Sequence, residues 1–181
     1  MAAVAAGVGA ANLIAGTATV LFRDHVVDND CAGAAFAVTL PMYQGTGYVA
    51  VKRQFLTDTA YEKVARPAVT QAVVVPRARV PQRFGDKARD VFTRCSGCTV
   101  NLRQVDVAGA RDDIWTVGPV ADQNGTLSLL NTAEGGNGWA CRRGLSVHSN
   151  VVVDVSACGY GVREPVIPAL VNPNVAKIDG H

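Results

Sequence analysis

The sequence has almost no excess of charge of either sign. It contains 17 lysines and arginines against 15 aspartates and glutamates, which gives a net charge of +2 at pH 7. Nucleic acid binding needs concentrated positive charge, so this balance excludes any strong expectation of a nucleic acid partner. A local basic run between residues 77 and 94 is interleaved with Asp86 and Asp90, which is typical of a solvated helix face.

The sequence also lacks the spacings that mark metal centres and thiol redox sites. One Cys-x-x-Cys motif, from Cys95 to Cys98, stands without a second such motif and without a His-x₃₋₅-His pair, which argues against zinc. A thioredoxin-like motif follows a strand and begins a helix, whereas this one follows a helical pattern and precedes a strand-like segment. We therefore expect no metal, no cofactor and no redox role for this motif.

Two other clusters suggest ion or phosphate binding by composition alone. The acidic cluster around His25 lacks the glycine and the distal glutamate of an EF-hand, and we interpret it as a solvated loop (Asp24, Asp28 and Asp30). The glycine clusters at residues 45–47 and 135–138 do not lie at strand-to-helix junctions, and no lysine follows them at phosphate-loop spacing. These glycines are better explained as turn residues.

The N-terminus lacks the basic residues that begin a secretory signal. No charged residue occurs between Met1 and Phe22, a length that could cross a bilayer, but the run is rich in alanine, glycine and threonine. We predict a small-residue helix near residues 4–14 and a strand near residues 17–23. Since the cysteines described below indicate export, the missing signal predicts that the chain is a fragment of a longer protein.

The remaining composition indicates one globular domain over residues 1–181. The chain is 49% hydrophobic and 18% charged, and it is long enough to bury a substantial core. Its five cysteines are an odd number, which fits an even disulfide framework with one spare thiol in an oxidising compartment.

Hydrophobic periodicity predicts a mixed fold. The clearest helix covers residues 80–94, and the three prolines at 165, 168 and 173 predict that the C-terminal segment is not a continuous helix. Asn124 and Gly125 predict a tight turn. Strands are predicted near residues 48–56, 69–75, 99–107, 113–117 and 126–130. This order indicates an α+β fold with a mainly antiparallel sheet and few helices.

The symmetry of residues 138–158 predicts a further hairpin. If Ser149 and Asn150 form a two-residue turn, counting outward places Cys141 opposite Cys158 as a non-hydrogen-bonded pair. The Cα atoms of such a pair lie about 4.5 Å apart, within reach of a disulfide. We therefore predict a hairpin that is closed by a Cys141–Cys158 bridge.

Six stretches of the chain occur in an order that points to a known family. They are residues 30–34 (DCAGA), 43–48 (YQGTGY), 69–74 (VTQAVV), 115–119 (WTVGP), 134–143 (EGGNGWACRR) and 150–160 (NVVVDVSACGY). Taken together they resemble the PknH-type extracellular sensor domain of mycobacteria, which forms the outer part of some transmembrane Ser/Thr kinases and occurs in related lipoproteins. The resemblance implies an α+β fold around a central cleft that binds an unidentified ligand, and it implies no catalysis.

The resemblance also implies two disulfides, Cys31–Cys95 and Cys141–Cys158. The chain departs from the family pattern in three ways. Phe92 stands where the family usually has tryptophan, Cys98 is extra and could replace Cys95 as the partner of Cys31, and the prolines interrupt the family's last helix. No kinase motif is present, so any kinase activity would belong to another part of the parent chain.

Aromatic residues at loop–strand borders are the candidate ligand contacts. They would either cover the core or line a cleft with an apolar face and a polar tip. A glutamine and an arginine could add polar contacts. The predicted ligand-binding set is Tyr43, Gln71, Trp115, Trp139, Arg143 and Tyr160.

The favoured function is a non-catalytic sensor domain on the outer face of the plasma membrane, tethered in its parent chain by a membrane span or a lipid anchor. A small molecule or a cell-envelope component would be the ligand, and ligand contact or homodimerisation would bias an attached partner. The alternative is a secreted or surface protein–protein interaction module, which a broad exposed apolar patch would favour. A small exported hydrolase is the least favoured hypothesis: Ser146 and His148 share one face of the predicted hairpin, but Asp154 is predicted to lie on the other face.

Overall fold

The computed structural model describes residues 13–19, 21, 26–58, 68–76 and 81–179. The strands in these residues are β1 (Leu13–Ala18), β2 (Tyr48–Asp58), β3 (Ala68–Pro76), β4 (Thr99–Asn101), β5 (Ile114–Val117), β6 (Ala121–Gln123), β7 (Thr126–Ala133), β8 (Trp139–His148) and β9 (Val151–Tyr160). The helices are α1 (Asn29–Ala35), α2 (Leu40–Tyr43), α3 (Pro81–Cys95) and α4 (Val166–Asp179). None of these helices is both long and apolar enough to span a bilayer.

In the described residues, the nine strands form one antiparallel sheet. Its order is β1-β2-β3-β9-β8-β7-β5-β4, and β6 pairs with the end of β7 that β5 leaves free. Helices α1, α2 and α3 cover one face of the sheet, and α4 covers the other. The predicted α+β class with a mainly antiparallel sheet is confirmed.

The hairpin register follows the count made from the sequence. Ser149 adopts a left-handed φ of 52° at the turn between β8 and β9, and Cys141 pairs with Cys158. The two cysteines form a disulfide, with their Cα atoms 4.0 Å apart. Side chains alternate between the two faces along this hairpin. Leu145 and Val152 join the core under α3, and Val153 joins the core under α4.

The second disulfide joins α1 and α3, two helices that cover the same face of the sheet. Cys31 in α1 bonds to Cys95 at the end of α3, and Cys98 is an exposed free thiol. The question of which cysteine pairs with Cys31 is therefore answered in favour of Cys95. The apolar stripe of α3 faces inward as predicted, since each of its members is buried (Phe84, Ala88, Val91 and Phe92).

A buried ion pair within the sheet forms hydrogen bonds with α2 and with the segment between α1 and α2. Arg143 Nη1 lies 3.0 Å from Asp154 Oδ1, and neither side chain is exposed to solvent. Asp154 Oδ2 also accepts hydrogen bonds from the Tyr43 hydroxyl at 2.7 Å and from the backbone N–H of Val38 at 2.8 Å. Arg143 Nη1 donates to the carbonyl of Phe36 at 2.6 Å. Hydrogen bonds with Asp154 and Arg143 thus hold the segment between α1 and α2 on the sheet.

Burial acts on both acidic groups of this cluster. Burial raises the pKa of the Asp154 carboxyl above its ordinary value, while Arg143, Tyr43 and Val38 oppose the rise. Burial and the neighbouring carboxylate raise the pKa of the Tyr43 hydroxyl well above its usual range. Tyr43 therefore remains a hydrogen-bond donor at physiological pH.

Several sequence predictions about chain segments are wrong. Residues 102–107 do not continue the strand predicted over 99–107, because the chain turns away after Asn101 and only Gln104 forms an isolated bridge, with Val26. The strand predicted near residues 17–23 begins earlier, at Leu13. Of the helix predicted near residues 4–14, residues 4–12 lie outside the described residues, and Leu13 and Ile14 belong to strand β1 instead.

The C-terminal segment is a helix in spite of its prolines. Pro168 lies in the first turn of α4, where a backbone N–H has no helical partner in any case. Pro173 lies inside the helix and costs about 3 kcal/mol. Four aliphatic side chains of α4 are buried, and each burial contributes about 1.5–3 kcal/mol (Val166, Ile167, Leu170 and Val171). Packing therefore outweighs the propensity that the sequence suggested.

Gly144 of β8 lets α4 lie close to the sheet. A Cβ atom at this position would collide with Ile167 Cγ2 and would lie 3.2 Å from Val155 Cγ2. The loop before α4 is also tied to β8, because Arg142 Nη1 pairs with Glu164 and Arg142 Nε donates to the carbonyl of Val162. Strand β8 thus sets both the distance between α4 and the sheet and the position at which α4 begins.

We predict that the two disulfides carry unequal shares of the stability. Replacing both Cys31 and Cys95 with serine should lower the free energy of unfolding by about 4 kcal/mol, and the same change at Cys141 and Cys158 by about 3 kcal/mol, because the first loop is longer. Guanidinium denaturation measures both values. Cys98→Ser is the matched control and should change stability by less than about 0.5 kcal/mol. A larger loss in that control would contradict the assigned pairing.

We also predict strong coupling between Arg143 and Asp154. Asp154→Asn should destabilise by about 3–5 kcal/mol because it leaves a buried guanidinium without its counter-charge, and Arg143→Met should do the same for the carboxylate. The double variant should lose clearly less than the sum of the two single losses. Urea denaturation of the four proteins tests this, and strictly additive losses would refute it. Tyr43→Phe, which removes only one hydrogen bond, should cost about 1–2 kcal/mol.

Candidate functional site

A hollow of about 290 Å³ lies between α4 and the end of the sheet formed by β6, β7 and β8. We call it the polar pocket. Strands and the β6–β7 turn supply one side with polar groups (Gln123, Asn124, Thr126, Ser128 and His148). Helix α4 supplies the other side with mostly apolar groups (Ile167, Pro168, Val171, Asn172 and Val175), and Glu164 lies at the start of this wall.

The floor of the polar pocket results from strand alternation. Along β7 and β8, Thr126 faces Ser146 across the strands, and His148 lies two residues beyond Ser146 on the same face. The Thr126 hydroxyl lies 3.3 Å from Ser146 Oγ, which in turn lies 3.0 Å from His148 Nε2. This chain of hydrogen bonds fixes the imidazole ring at the pocket wall.

Several polar side chains converge on the pocket. Ser128 is buried, with only 6% of its surface exposed, and its hydroxyl lies in the lining. The side-chain amides of Gln123, Asn124 and Asn172 are exposed at the rim, where water can bond to them. Donors and acceptors that converge on one hollow beside an apolar wall make it the candidate binding site.

The pocket carries little net charge. Glu164 supplies its one carboxylate among the described lining residues, and the Arg142 guanidinium pairs with that carboxylate at 2.5 Å. No lysine or arginine is among the described lining residues. The pocket can therefore offer hydrogen bonds and apolar contact, but no strong attraction for a charged group.

A second hollow, of about 340 Å³, lies on the opposite face of the sheet between α3 and the ends of β7 and β8. Its floor is apolar and consists of Leu127, Leu145 and Val147. The exposed pair of Arg89 and Asp122 joins α3 to β6 beside it. This hollow has fewer convergent polar side chains than the polar pocket and is a weaker candidate.

The residues predicted to bind a ligand do not converge on either hollow. Tyr43 and Arg143 meet through Asp154, but both are buried in the core, where the Tyr43 hydroxyl and the two terminal nitrogens of Arg143 already have partners. Tyr43 also stacks on Phe84, with ring centroids 5.0 Å apart. Their assignment as ligand contacts stays a prediction, and the structure places them in the framework.

The other four members of the predicted set lie in separate places. Trp139 and Tyr160 pair across β8 and β9 at the open end of the hairpin, with ring centroids 5.3 Å apart. Trp115 in β5 packs against Phe36 and donates from Nε1 to Asp113. Gln71 pairs with Gln54 and Val155 in the middle of the sheet. Their role in ligand contact likewise stays a prediction.

Sequence reasoning missed most of the polar pocket. The signal was present in β7 and β8, where Thr126, Ser128, Ser146 and His148 follow a period of two on strands that are otherwise apolar. The hairpin count had already placed Ser146 and His148 on one face. Helix α4, which forms the second wall, was not predicted, because the prolines of this segment argued against a continuous helix.

The contact between Ser146 and His148 is half of a hydrolytic arrangement. Ser146 is buried, and no carboxylate in the described residues forms a hydrogen bond with the His148 ring. Asp154 pairs with Leu145 and faces the other side of the sheet, as the register predicted. Without an orienting carboxylate and an accessible hydroxyl, the pair lacks two requirements of a nucleophilic site.

Comparison with known proteins places the chain in a family. The family model for the PknH-like extracellular domain matches residues 1–177. The Ser/Thr protein kinases PknH of Mycobacterium bovis and of Mycobacterium tuberculosis are each 36% identical to this chain over 135 residues, or 74% of the chain. These residues make up 22% and 20% of the two kinases, so the chain spans about a fifth of their length.

A solved structure agrees with the fold. The crystal structure of the extracellular domain of PknH from Mycobacterium tuberculosis matches with a TM-score of 0.87 and 30% identity, covering 99% of this chain and 91% of that one. The shared region is the extracellular part of a kinase and not its catalytic part. The chain belongs to the family of PknH-like extracellular domains, and its two disulfides fit that extracytoplasmic location.

Proposed function

We propose that this domain is a non-catalytic ligand-binding sensor that uses the polar pocket. The observation that carries the proposal is the convergence of polar side chains on this hollow opposite the apolar wall of α4, with Ser128 buried and Gln123, Asn124 and Asn172 exposed. Hydrogen-bonding groups that converge beside an apolar surface are what a small-molecule site requires. The ligand is an unidentified small molecule or a component of the cell envelope.

The arrangement suggests how binding could be transmitted. The floor of the polar pocket is part of the rigid sheet, whereas its other wall is α4, which rests on the sheet through Ile167 and Gly144. A ligand held between the two would favour one position of α4 over others. In a parent receptor with a membrane tether, such a population shift would bias the attached partner.

Blocking the pocket tests the proposal. In Asn172→Trp the indole would fill the hollow from the exposed rim of α4, whereas Lys177→Trp puts the same side chain on the same helix outside the pocket. We expect hits from a fragment library, detected by saturation-transfer difference NMR, to bind at least about tenfold more weakly to Asn172→Trp. The Lys177→Trp variant should bind as the unmodified domain does. The proposal would be refuted if the hits bind both variants as tightly as the unmodified domain, or if the screen yields no hits.

A second candidate function has one observation in its favour. The bridge between Val26 and Gln104 and the hydrogen bond from Val27 N–H to the Arg103 carbonyl bring Val27 to the loop that carries Val105 and Val107. These three valines are 44–50% exposed. They offer a small apolar surface that would suit a protein–protein contact, either with another protein or in a homodimer.

Sedimentation velocity over a concentration series tests the homodimer form of this second function. If the valine surface mediates a homodimer, the domain should self-associate, and Val105→Asp should shift it towards the monomer by burying a charge at the interface. Thr116→Asp, at an exposed position of β5, is the control. A domain that stays monomeric throughout argues against the homodimer, and pocket ligands that bind the monomer then favour the sensor function.

A further inference from the structure

We infer that the polar pocket takes an uncharged, hydroxyl-rich ligand of about one sugar unit, either a free saccharide or the exposed unit of a glycan. This inference rests on the ligand-binding function proposed above and narrows it to a chemical class. It follows from the charge of the pocket, its hydrogen-bonding groups, its apolar wall and its size.

The charge of the pocket disfavours ionic ligands. A phosphate or carboxylate would meet no lysine or arginine among the described lining residues. A cationic ligand would have to compete with Arg142 for Glu164, which Arg142 already neutralises. Moving a charge from water into a partly enclosed site costs free energy unless a counter-charge compensates for it.

The polar groups of the lining fit hydroxyl groups best. The side chains of Gln123, Asn124 and Asn172 each carry a donor and an acceptor, and so does the hydroxyl of Ser128. A ligand hydroxyl likewise donates one hydrogen bond and accepts others, so it satisfies either half of an amide. Neighbouring hydroxyls on a ring can meet both ends of one amide at once, which a single carbonyl or amine cannot do.

The opposite wall accounts for the rest of such a ligand. Pro168, Val171 and Val175 present an aliphatic surface to the same hollow. A pyranose or furanose ring has hydroxyls around its edge and C–H groups on its face, so it can bond to the strands while its face packs on α4. A hydroxyl-rich ring therefore matches both walls, and a fully polar or fully apolar ligand matches only one.

The size of the hollow limits the ligand further. A volume of about 290 Å³ lies at the lower end of the range for small-molecule sites. It suits one ring, with the open side leaving room for the next unit of a chain. A long acyl chain or a folded peptide would leave most of its surface outside the pocket.

NMR titration of the 181-residue domain tests this inference. The probes are glucose, mannose, galactose and arabinose, with glucuronic acid and glucosamine as charged counterparts and glycylglycine amide and acetyl-alanine amide as small amide controls. We expect saturable shifts of the amide resonances of Ser128, His148 and Asn172 with at least one neutral sugar, at about millimolar affinity. Glucuronic acid and glucosamine should bind several-fold more weakly than the neutral sugar that binds best.

Variants and polymers complete the test. Gln123→Ala combined with Asn172→Ala should weaken sugar binding about tenfold, whereas Gln104→Ala, an exposed glutamine outside the pocket, should have no effect. A soluble mannan or arabinan that binds more than tenfold tighter than its monosaccharide would identify a glycan as the source, and equal affinities would identify a free sugar.

The failures of the two proposals can be told apart. If the amide controls or uncharged library fragments shift the pocket resonances and no sugar does, the saccharide class is overturned while the ligand-binding site stands. If no probe of any class shifts these resonances, and library hits ignore Asn172→Trp, both proposals fail together.

Discussion

The buried carboxylate of Asp154 is the interaction on which the arrangement of layers depends. It compensates the Arg143 guanidinium inside the core and binds the Tyr43 hydroxyl and the Val38 N–H. Val38 has a left-handed φ of 64°, which costs a β-branched residue about 1–3 kcal/mol. The bond from Val38 to Asp154 helps to hold this conformation, which directs the chain from α1 into α2. The Phe92 ring, 5.3 Å from Arg143 Cζ, closes the cluster from α3.

Local geometry determined which parts of the fold could be predicted from the sequence. The β8–β9 hairpin is one such part, because a two-residue turn and a period of two fix every cross-strand pair once the turn is placed. Helix α3 is another, because its apolar stripe has a single interpretation. The pairing of Cys31 with Cys95 came from the family resemblance, and geometry alone left Cys98 as an alternative. In each confirmed case the deciding contacts were either local or already known from relatives.

The parts that could not be predicted depend on tertiary packing. The sequence does not show that Arg143 contacts Asp154 on the face of the hairpin that α1, α2 and α3 cover. An arginine in a family motif was therefore interpreted as a ligand contact. The same holds for Tyr43, whose hydroxyl reaches Asp154 from α2. Helix α4 forms because Gly144 leaves room for Ile167 and because four of its side chains are buried, which no local propensity reports. The polar pocket needs that helix as a wall, and so it was missed together with it.

Strand β8 connects the framework with the candidate site. Arg143 and Leu145 point into the core under α3, while Gly144, Ser146 and His148 point towards α4 and the polar pocket. Successive residues of one strand cannot turn independently, so the buried ion pair also holds the floor of the pocket in place. The floor is therefore preorganised, so the ligand proposed above would not have to order it. A change of shape on binding would then fall on α4, whose contact with the sheet depends on aliphatic packing and on the Arg142–Glu164 pair. A stiff floor opposite a single helix would let the proposed binding be converted into movement of one element only.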